Sequence, residues 1–152
     1  MCIRDSGGSA NGGVDQDQIA NTITFDVLNV NDPPAGTDNN ISIIEDALHT
    51  FTAADFGFSD LADGDTFDAV TVSPPASGSL TLAGSPVTST RLVSISAINN
   101  GSLVYTPAPG ANGNNFDSLL FDVVDNGGIA NGGINIDQTC LLYTSPSPRD
   151  RG

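Results

Sequence analysis

Apolar and polar residues alternate with a period of two along much of this 152-residue chain. The alternation is clearest at 23–28 (ITFDVL) and 79–82 (SLTL), and it is the pattern of a sheet with one buried face. No stretch keeps a helical period for three turns, and clusters rich in Gly, Asn, Asp and Pro separate the apolar segments. The pattern predicts an all-β fold, best built as a two-sheet β-sandwich. Further predicted strands lie at 41–44, 50–53, 69–72, 91–95, 102–106 and 118–124.

Two segments of the chain are nearly identical. Residues 7–18 (GGSANGGVDQDQ) and 127–138 (GGIANGGINIDQ) are offset by 120 positions, which indicates a tandem array. We expect 7–30 to be the C-terminal part of one repeat, 31–40 to be a linker, and 41–139 to be a second repeat that lacks its last strand. An open sheet edge is an aggregation hazard, so we expect 19–28 or 141–144 to cover it.

The two ends differ in composition from the sequence between them. The DNA string ATGTGTATAAGAGACAG can encode residues 1–6 (MCIRDS), and its reverse complement encodes 140–144 (CLLYT). Both ends therefore resemble translated sequencing adapter, and we treat 1–6 and 140–152 as non-native segments. Because Cys2 and Cys140 both lie there, no disulfide is inferred.

The chain is strongly acidic, with 18 acidic residues, 4 basic ones and a formal net charge of −14. Arg91 is the only basic residue between the two ends. Phosphate binding needs a basic face, so nucleic acid is not an expected partner, and neither is an anionic membrane surface. No apolar run has the length of a membrane span, so no direct membrane insertion is expected. The negative charge favours an extended array and attracts divalent cations.

The parts needed for catalysis are missing from the sequence. His49 is the only histidine, and no serine lies in a Gly-x-Ser-x-Gly turn, so triad chemistry has no basis. The glycine-rich segment 127–133 has no strand-to-helix pattern around it and no lysine after it, which excludes a phosphate cradle. We therefore predict that the protein is not an enzyme.

A series of short motifs follows in a fixed order: 29–34 (NVNDPP), 44–46 (IED), 58–65 (FSDLADGD), 78–84 (GSLTLAG), 103–107 (LVYTP) and 121–128 (FDVVDNGG). Their combination resembles the bacterial cadherin-like tandem repeats of large surface adhesins, over about residues 7–139. The resemblance implies a cadherin-like or Ig-like Greek-key β-sandwich, strung into a rod outside the bacterial cell. It also implies that neighbouring repeats of the same chain are the partners and that calcium is the cofactor at their junctions. The adhesive target is not identified.

Five residues from three loops form the predicted calcium site: Asn31, Asp32, Asp63, Asp65 and Asp125. Calcium takes roughly 6 to 8 oxygen ligands, and the Asp-Gly-Asp loop can aim two carboxylates at one point. Ordinary turn chemistry of Asp and Gly is the alternative explanation for these residues.

Glu45 and Asp46 form a second candidate pair, because they match the acidic residues that open a cadherin-like repeat. The Asp-Arg-Glu motif of animal cadherins is absent, so we expect one or two ions at a junction rather than three. Further acids are interpreted as solvated surface residues: Asp26, Asp38, Asp68, Asp117 and Asp122.

Two classes of function remain. The first is a structural spacer repeat of an adhesin, braced by calcium. The alternative is a carbohydrate- or protein-binding β-sandwich module. Near-identical neighbouring segments favour the spacer, since a recognition domain usually occurs once.

Overall fold

A computed structural model describes residues 10–13 and 17–138, and most regular structure in them is β-strand. The all-β prediction is therefore confirmed for this part of the chain. None of its helices is long and apolar enough to cross a membrane. The elements are β1 His49–Thr50, β2 Phe67–Val72, β3 Ser79–Leu82, β4 Ser85–Pro86, β5 Arg91–Ser94, the short helix α1 Ile95–Asn99, β6 Leu103–Thr106 and β7 Phe121–Asp125, with 3₁₀ turns at Ala10–Gly12, Ala53–Phe56 and Ala130–Gly132.

The strands of the described residues form two antiparallel sheets. One sheet has the order β1-β6-β3-β4, and the other has the order β5-β2-β7. In the first, Leu80 of β3 lies opposite Tyr105 of β6. In the second, Val70 of β2 lies opposite Val93 of β5 on one side and Val123 of β7 on the other. β2 is therefore the central strand of the three-stranded sheet.

Both sheets contribute to one hydrophobic core. Val70, Val93 and Val123 come from the three-stranded sheet, and Leu80 and Leu103 come from the other; none is more than 1% exposed. Successive side chains of a strand point to opposite faces, so alternate positions of each strand supply this core. Burying one such side chain is worth about 1.5–3 kcal/mol, and the shared core is what holds the two sheets together.

Two of the predicted strands give way to helical turns. The strand predicted at 91–95 ends at Ser94, whose Oγ accepts a hydrogen bond from Ala97 N at 3.3 Å and caps α1. Of the strand predicted at 50–53, only Thr50 is in a strand, as the last residue of β1. The Thr52 N–H donates to Asp55 Oδ2 at 2.8 Å, and a 3₁₀ turn begins at Ala53. Such local hydrogen bonds from side chains to backbone compete with strand pairing.

The strands predicted at 23–28 and 41–44 are wrong, since neither segment pairs as a strand within the described residues. Ile23, Phe25 and Val27 are 80%, 83% and 94% exposed. A periodic pattern forms a strand only where a neighbour can take up its backbone hydrogen bonds. The expectation that 19–28 covers an open sheet edge is therefore wrong for this unit. Its alternative, 141–144, lies outside the described residues.

The sequence repeat recurs in the backbone. Ala10–Gly12 and Ala130–Gly132 are both 3₁₀ turns, and Asn11 and Asn131 both have a φ of 57°. Asn is one of the few residues that visits this left-handed region readily, because its short side chain can hydrogen-bond locally. The two segments therefore share local structure as well as sequence.

The segment predicted as a linker, 31–40, packs against the unit that follows it. Asn31 C=O accepts a hydrogen bond from Ile134 N at 3.0 Å, and the Asn31 side-chain amide donates to Ile134 C=O at 2.8 Å. Further along, the Gly36 N–H donates to Asp137 Oδ2 at 2.8 Å. The first half of this segment therefore follows the chain that comes after β7.

Asp117 is not the solvated surface acid that the sequence suggested. Its carboxylate accepts hydrogen bonds from several backbone N–H groups, including Ser77 and Gly78, and from the Tyr105 hydroxyl at 2.9 Å. Partial burial raises the pKa of Asp117, but the bonds from Gly78 and Tyr105 and the others outweigh it and lower the pKa. Burial, followed by the hydrogen bond to Asp117, raises the pKa of Tyr105 to about 12. Asp117 thus ties the loop before β7 to β6 and to the turn before β3.

Candidate metal centre

The structure brings together the side chains of four residues of the first predicted site, and the fifth, Asp32, joins them through its backbone N–H. Asn31 Nδ2 donates a hydrogen bond to Asp125 Oδ1 at 3.0 Å, and the Asp32 N–H donates to Asp63 Oδ2 at 2.6 Å. Asp65 belongs to the same loop as Asp63 and lies close enough to Asp125 for the two carboxylates to repel each other. The entry segment, the loop before β2 and the end of β7 therefore meet in one acidic cluster.

Two buried oxygen atoms in this cluster have no hydrogen-bond partner among the described residues. They are Asn31 Oδ1 and Asp125 Oδ2. Asn31 is 9% exposed and Asp125 is 1% exposed, so bulk water does not hydrate them. The other Asp125 oxygen is well satisfied, since the Gly127 N–H also donates to it at 2.8 Å. Leaving a buried polar atom without a partner costs about 1–3 kcal/mol, and a bound cation would be a partner for an oxygen of this kind.

Gly127 provides the space into which a third oxygen reaches. A Cβ placed on Gly127 would overlap both Asn31 Oδ1 and Asp65 Oδ2. These two oxygens therefore converge on one point, and only glycine fits beside them. The sequence analysis assigned 127–133 to a loop and missed this role; the Gly-Gly pair directly after Asp125-Asn126 is the available signal.

Negative charge in the cluster is unevenly compensated. Burial, followed by repulsion from Asp125 and two further carboxylates, raises the pKa of Asp65. In contrast, the Asp32 N–H and then the Asn29 amide donate to Asp63 and lower its pKa. Protein donors therefore satisfy the Asp63 carboxylate, whereas the Asp65 carboxylate remains in a repulsive field that a cation would relieve.

Two supporting residues were not selected from the sequence. The Asp60 carboxylate accepts hydrogen bonds from Asp63 N at 3.2 Å and Asp65 N at 3.1 Å, which shapes the loop that carries both acids. The Asp-x-x-Asp-x-Asp spacing is the local signal for this, because Asp side chains bond to backbone N–H groups a few residues ahead. Asn126 Oδ1 accepts from Thr66 N at 2.8 Å, a contact between distant segments that no local pattern reveals.

The second candidate pair, Glu45 and Asp46, lies on another loop. Asp46 has a φ of 62°, and its Oδ1 accepts a hydrogen bond from Gly110 N at 3.0 Å. The turn is closed by Ala47 N, which donates to Ile44 O at 3.0 Å. These contacts are ordinary turn chemistry, and they do not bring this pair to the acidic cluster.

Across residues 10–13 and 17–138, no group of three or more Asp, Glu, His or Cys side chains is arranged to hold a metal ion. A calcium ion at the acidic cluster would therefore need the Asn31 amide oxygen as well as the carboxylates of Asp65 and Asp125. Calcium accepts such mixed oxygen sets, with carbonyl groups and water completing the shell. Zinc and copper prefer nitrogen and sulfur ligands, so the oxygen chemistry of the cluster fits calcium.

Comparison of the chain with models of known protein families, with curated proteins and with solved structures finds no match. The function proposed for the chain therefore rests on the acidic cluster and on the sequence repeat.

Proposed function

We propose that this chain is a structural repeat of an extracellular bacterial adhesin, a cadherin-like Greek-key β-sandwich that serves as a spacer in a calcium-braced rod. The observation that carries the proposal is the pair of buried oxygens, Asn31 Oδ1 and Asp125 Oδ2, which have no hydrogen-bond donor among the described residues. They lie in an acidic cluster in which the pKa of Asp65 is already raised by burial and by repulsion from its neighbours.

The position of the cluster fits a brace. Asn31 and Asp32 belong to the segment that enters the unit, Asp65 to the loop before β2, and Asp125 to the end of β7. Calcium, when bound, supplies positive charge and a link between oxygens of different segments. Fixing the entry segment to two loops would restrict how one repeat can tilt against the next.

The sequence repeat and the charge support an array. Segments 7–18 and 127–138 recur with an offset of 120 positions, and the turns at Ala10–Gly12 and Ala130–Gly132 share their backbone conformation. Strong like charge makes neighbouring repeats repel one another, which favours an extended rod once the junctions are neutralised. Neighbouring repeats are therefore the proposed partners of this unit.

Thermal unfolding of the full chain in excess calcium, in magnesium and in chelator tests the calcium brace. A ligand present at about 100 times its dissociation constant stabilises by about 2.7 kcal/mol. For a domain of about 60–100 residues each kcal/mol raises the midpoint by about 4–8 °C, so we expect calcium to raise it by roughly 10–20 °C. Magnesium demands a smaller, stricter octahedral shell and should raise the midpoint less. An unfolding midpoint that is the same in calcium and in chelator would overturn the calcium brace.

A further inference from the structure

Asp63 connects two positions of the entry segment that lie on either side of Asn31. Its Oδ1 accepts a hydrogen bond from Asn29 Nδ2 at 2.9 Å, and its Oδ2 accepts one from Asp32 N at 2.6 Å. Both oxygens of this carboxylate are therefore bonded to donors of the protein itself. Hydrogen bonds to a charged acceptor are stronger than those between neutral groups, so Asp63 holds the chain on both sides of Asn31 against the loop before β2.

The Asn31 side chain is oriented by the bonds that its amide nitrogen makes. Asn31 Nδ2 donates to Asp125 Oδ1 at 3.0 Å and to Ile134 C=O at 2.8 Å. These bonds use both hydrogens of the amide, and Asn31 Oδ1 is left beside Gly127, where it meets Asp65 Oδ2. Asn31 therefore presents an oxygen to the cluster only while the entry segment stays in this place.

The loop that carries Asp63 keeps its shape by other contacts. The Asp60 carboxylate accepts hydrogen bonds from Asp63 N at 3.2 Å and from Asp65 N at 3.1 Å. Both donors are backbone N–H groups, so these bonds do not depend on the Asp63 side chain. Removing that side chain would therefore release the entry segment and leave the Asp65 carboxylate in its loop.

The Asp63 carboxylate is directed at the entry segment rather than at the other acids. Burial, followed by repulsion from Asp125 and two further carboxylates, raises the pKa of Asp65, and Asp63 repels it least of the three. The two oxygens nearest to a Cβ built on Gly127 belong to Asn31 and Asp65. Asp65 therefore faces the point where the oxygens converge, whereas Asp63 faces the segment that brings Asn31 there.

We infer that Asp63 is a positioning residue for calcium and not one of its ligands. It holds the entry segment so that Asn31 Oδ1 reaches the cluster beside the Asp65 carboxylate. The inference rests on the proposed function, because it concerns the same ion site. It adds that the entry segment is fixed before calcium binds, by hydrogen bonds that need no ion. The ion then has less chain to order, which is the general benefit of preorganisation.

Isothermal titration calorimetry of the full chain with calcium tests the inference. Asp63→Ala removes both acceptors, and we expect about 10- to 100-fold weaker binding, the usual effect of losing a residue that orients a metal ligand. Asp63→Asn is the matched variant, because its amide can accept from Asp32 N and donate to the Asn29 side-chain oxygen once the Asn29 amide turns over. We expect Asp63→Asn to bind within about threefold of wild type, the effect of one screened charge that does not touch the ion.

Asn29→Ala tests the same contact without changing the charge of the cluster. It removes the donor to Asp63 Oδ1, so we expect calcium to bind about 3- to 10-fold more weakly, which corresponds to one hydrogen bond. A ligand role for Asp63 predicts no weakening, since its oxygen would become more available to the ion. Asp68→Ala is the control for loss of an exposed carboxylate outside the cluster and should bind within about threefold of wild type.

Amide hydrogen exchange in chelator measures how firmly the entry segment is held when no ion is present. We expect the Asp32 amide to exchange about tenfold faster in Asp63→Ala than in wild type, because it loses its acceptor. The same amide should exchange at close to the wild-type rate in Asp63→Asn. The amides of β2 should be unchanged in both variants, which shows that the unit stays folded.

The outcomes separate the inference from the proposed function. A wild-type chain that binds no calcium would overturn both. Wild-type binding with an equal loss in Asp63→Asn and Asp63→Ala would overturn the inference alone, since it identifies Asp63 as a ligand. Unweakened binding by Asp63→Ala, or an Asp32 amide that exchanges at the wild-type rate in that variant, would also overturn the inference and leave the calcium brace standing.

Discussion

Replacing Asp125 with asparagine should stabilise the protein without calcium and remove most of its stabilisation by calcium. Asp125 is 1% exposed, and its Oδ1 accepts hydrogen bonds from the Asn31 amide and the Gly127 N–H. Asn keeps an oxygen for those bonds, and it removes the negative charge that repels the neighbouring Asp65 carboxylate. A buried group without a partner costs about 1–3 kcal/mol, and more when the group is charged, so a neutral side chain at this position costs less than the carboxylate. In chelator, we therefore expect Asp125→Asn to raise the free energy of unfolding by about 1–3 kcal/mol.

In calcium the same substitution removes a charged ligand. Wild-type protein at about 100 times the dissociation constant would gain about 2.7 kcal/mol from the ion, and Asp125→Asn should lose most of that gain. The variant is then the more stable protein in chelator but shows little response to calcium. A purely structural role for Asp125 would leave the stabilisation by calcium unchanged.

Urea unfolding followed by circular dichroism, in chelator and in calcium, measures both free energies. Asp68→Asn is the control, because Asp68 is an exposed residue of β2 and its substitution removes the same charge outside the cluster. A variant at Asp125 that is less stable than wild type in chelator and keeps the full calcium gain would refute the reasoning.

Three further predictions concern the cluster and the loop before β7. Gly127→Ala should lower the free energy of unfolding by about 1–3 kcal/mol through overpacking, because its Cβ overlaps an Asn31 oxygen and an Asp65 oxygen. For the same reason it should abolish the calcium-dependent rise of the melting midpoint. An unchanged rise would argue against convergence of those oxygens. Asp65→Asn should raise the melting midpoint in chelator at neutral pH, because burial and neighbouring carboxylates raise the pKa of Asp65 and its ionised form therefore destabilises the folded state. The difference in midpoint from wild type should shrink as the pH falls below the ordinary pKa of 3.8, where both side chains are neutral. A difference that stays constant with pH would contradict this cause. Tyr105→Phe should lower the free energy of unfolding in urea by about 1 kcal/mol through loss of the bond to Asp117, and a neutral result would show that solvent replaces that bond.

The sequence pattern predicted those strands that lie in a ladder with their neighbours. Segments 69–72, 79–82 and 102–106 correspond closely to β2, β3 and β6, because their period of two coincides with burial on the core face. Residues 23–28 have an equally regular pattern and are not a strand, since no backbone among the described residues pairs with them. Periodicity indicates which side chains of a strand share a face, but it does not indicate which other strand pairs with it.

The sequence predicted that the residues of the candidate metal centre meet, but it did not predict the residues that support them. Asn31, Asp63 and Asp125 belong to motifs with turn-forming neighbours, which made them candidates for oxygen ligands in the sequence. Gly127 leaves space for two side-chain oxygens, and the Asn31 Oδ1 atom lacks a hydrogen-bond partner among the described residues. Both features arise because segments almost a hundred residues apart in sequence meet in the fold. No local pattern encodes that meeting, so only the folded chain reveals it.

The pairing of Asn31 with Ile134 has a mechanical consequence. The entry segment runs alongside the chain that leaves β7, with contacts from Asn31 to Ile134 and from Gly36 to Asp137. Wherever the polypeptide continues beyond Asp137, tension along it pulls these two neighbouring segments past each other. Such a shearing load falls on all the contacts at once, whereas a peeling load would break them one after another. A pulling force on the chain would therefore pass through the same place at which we propose that calcium binds.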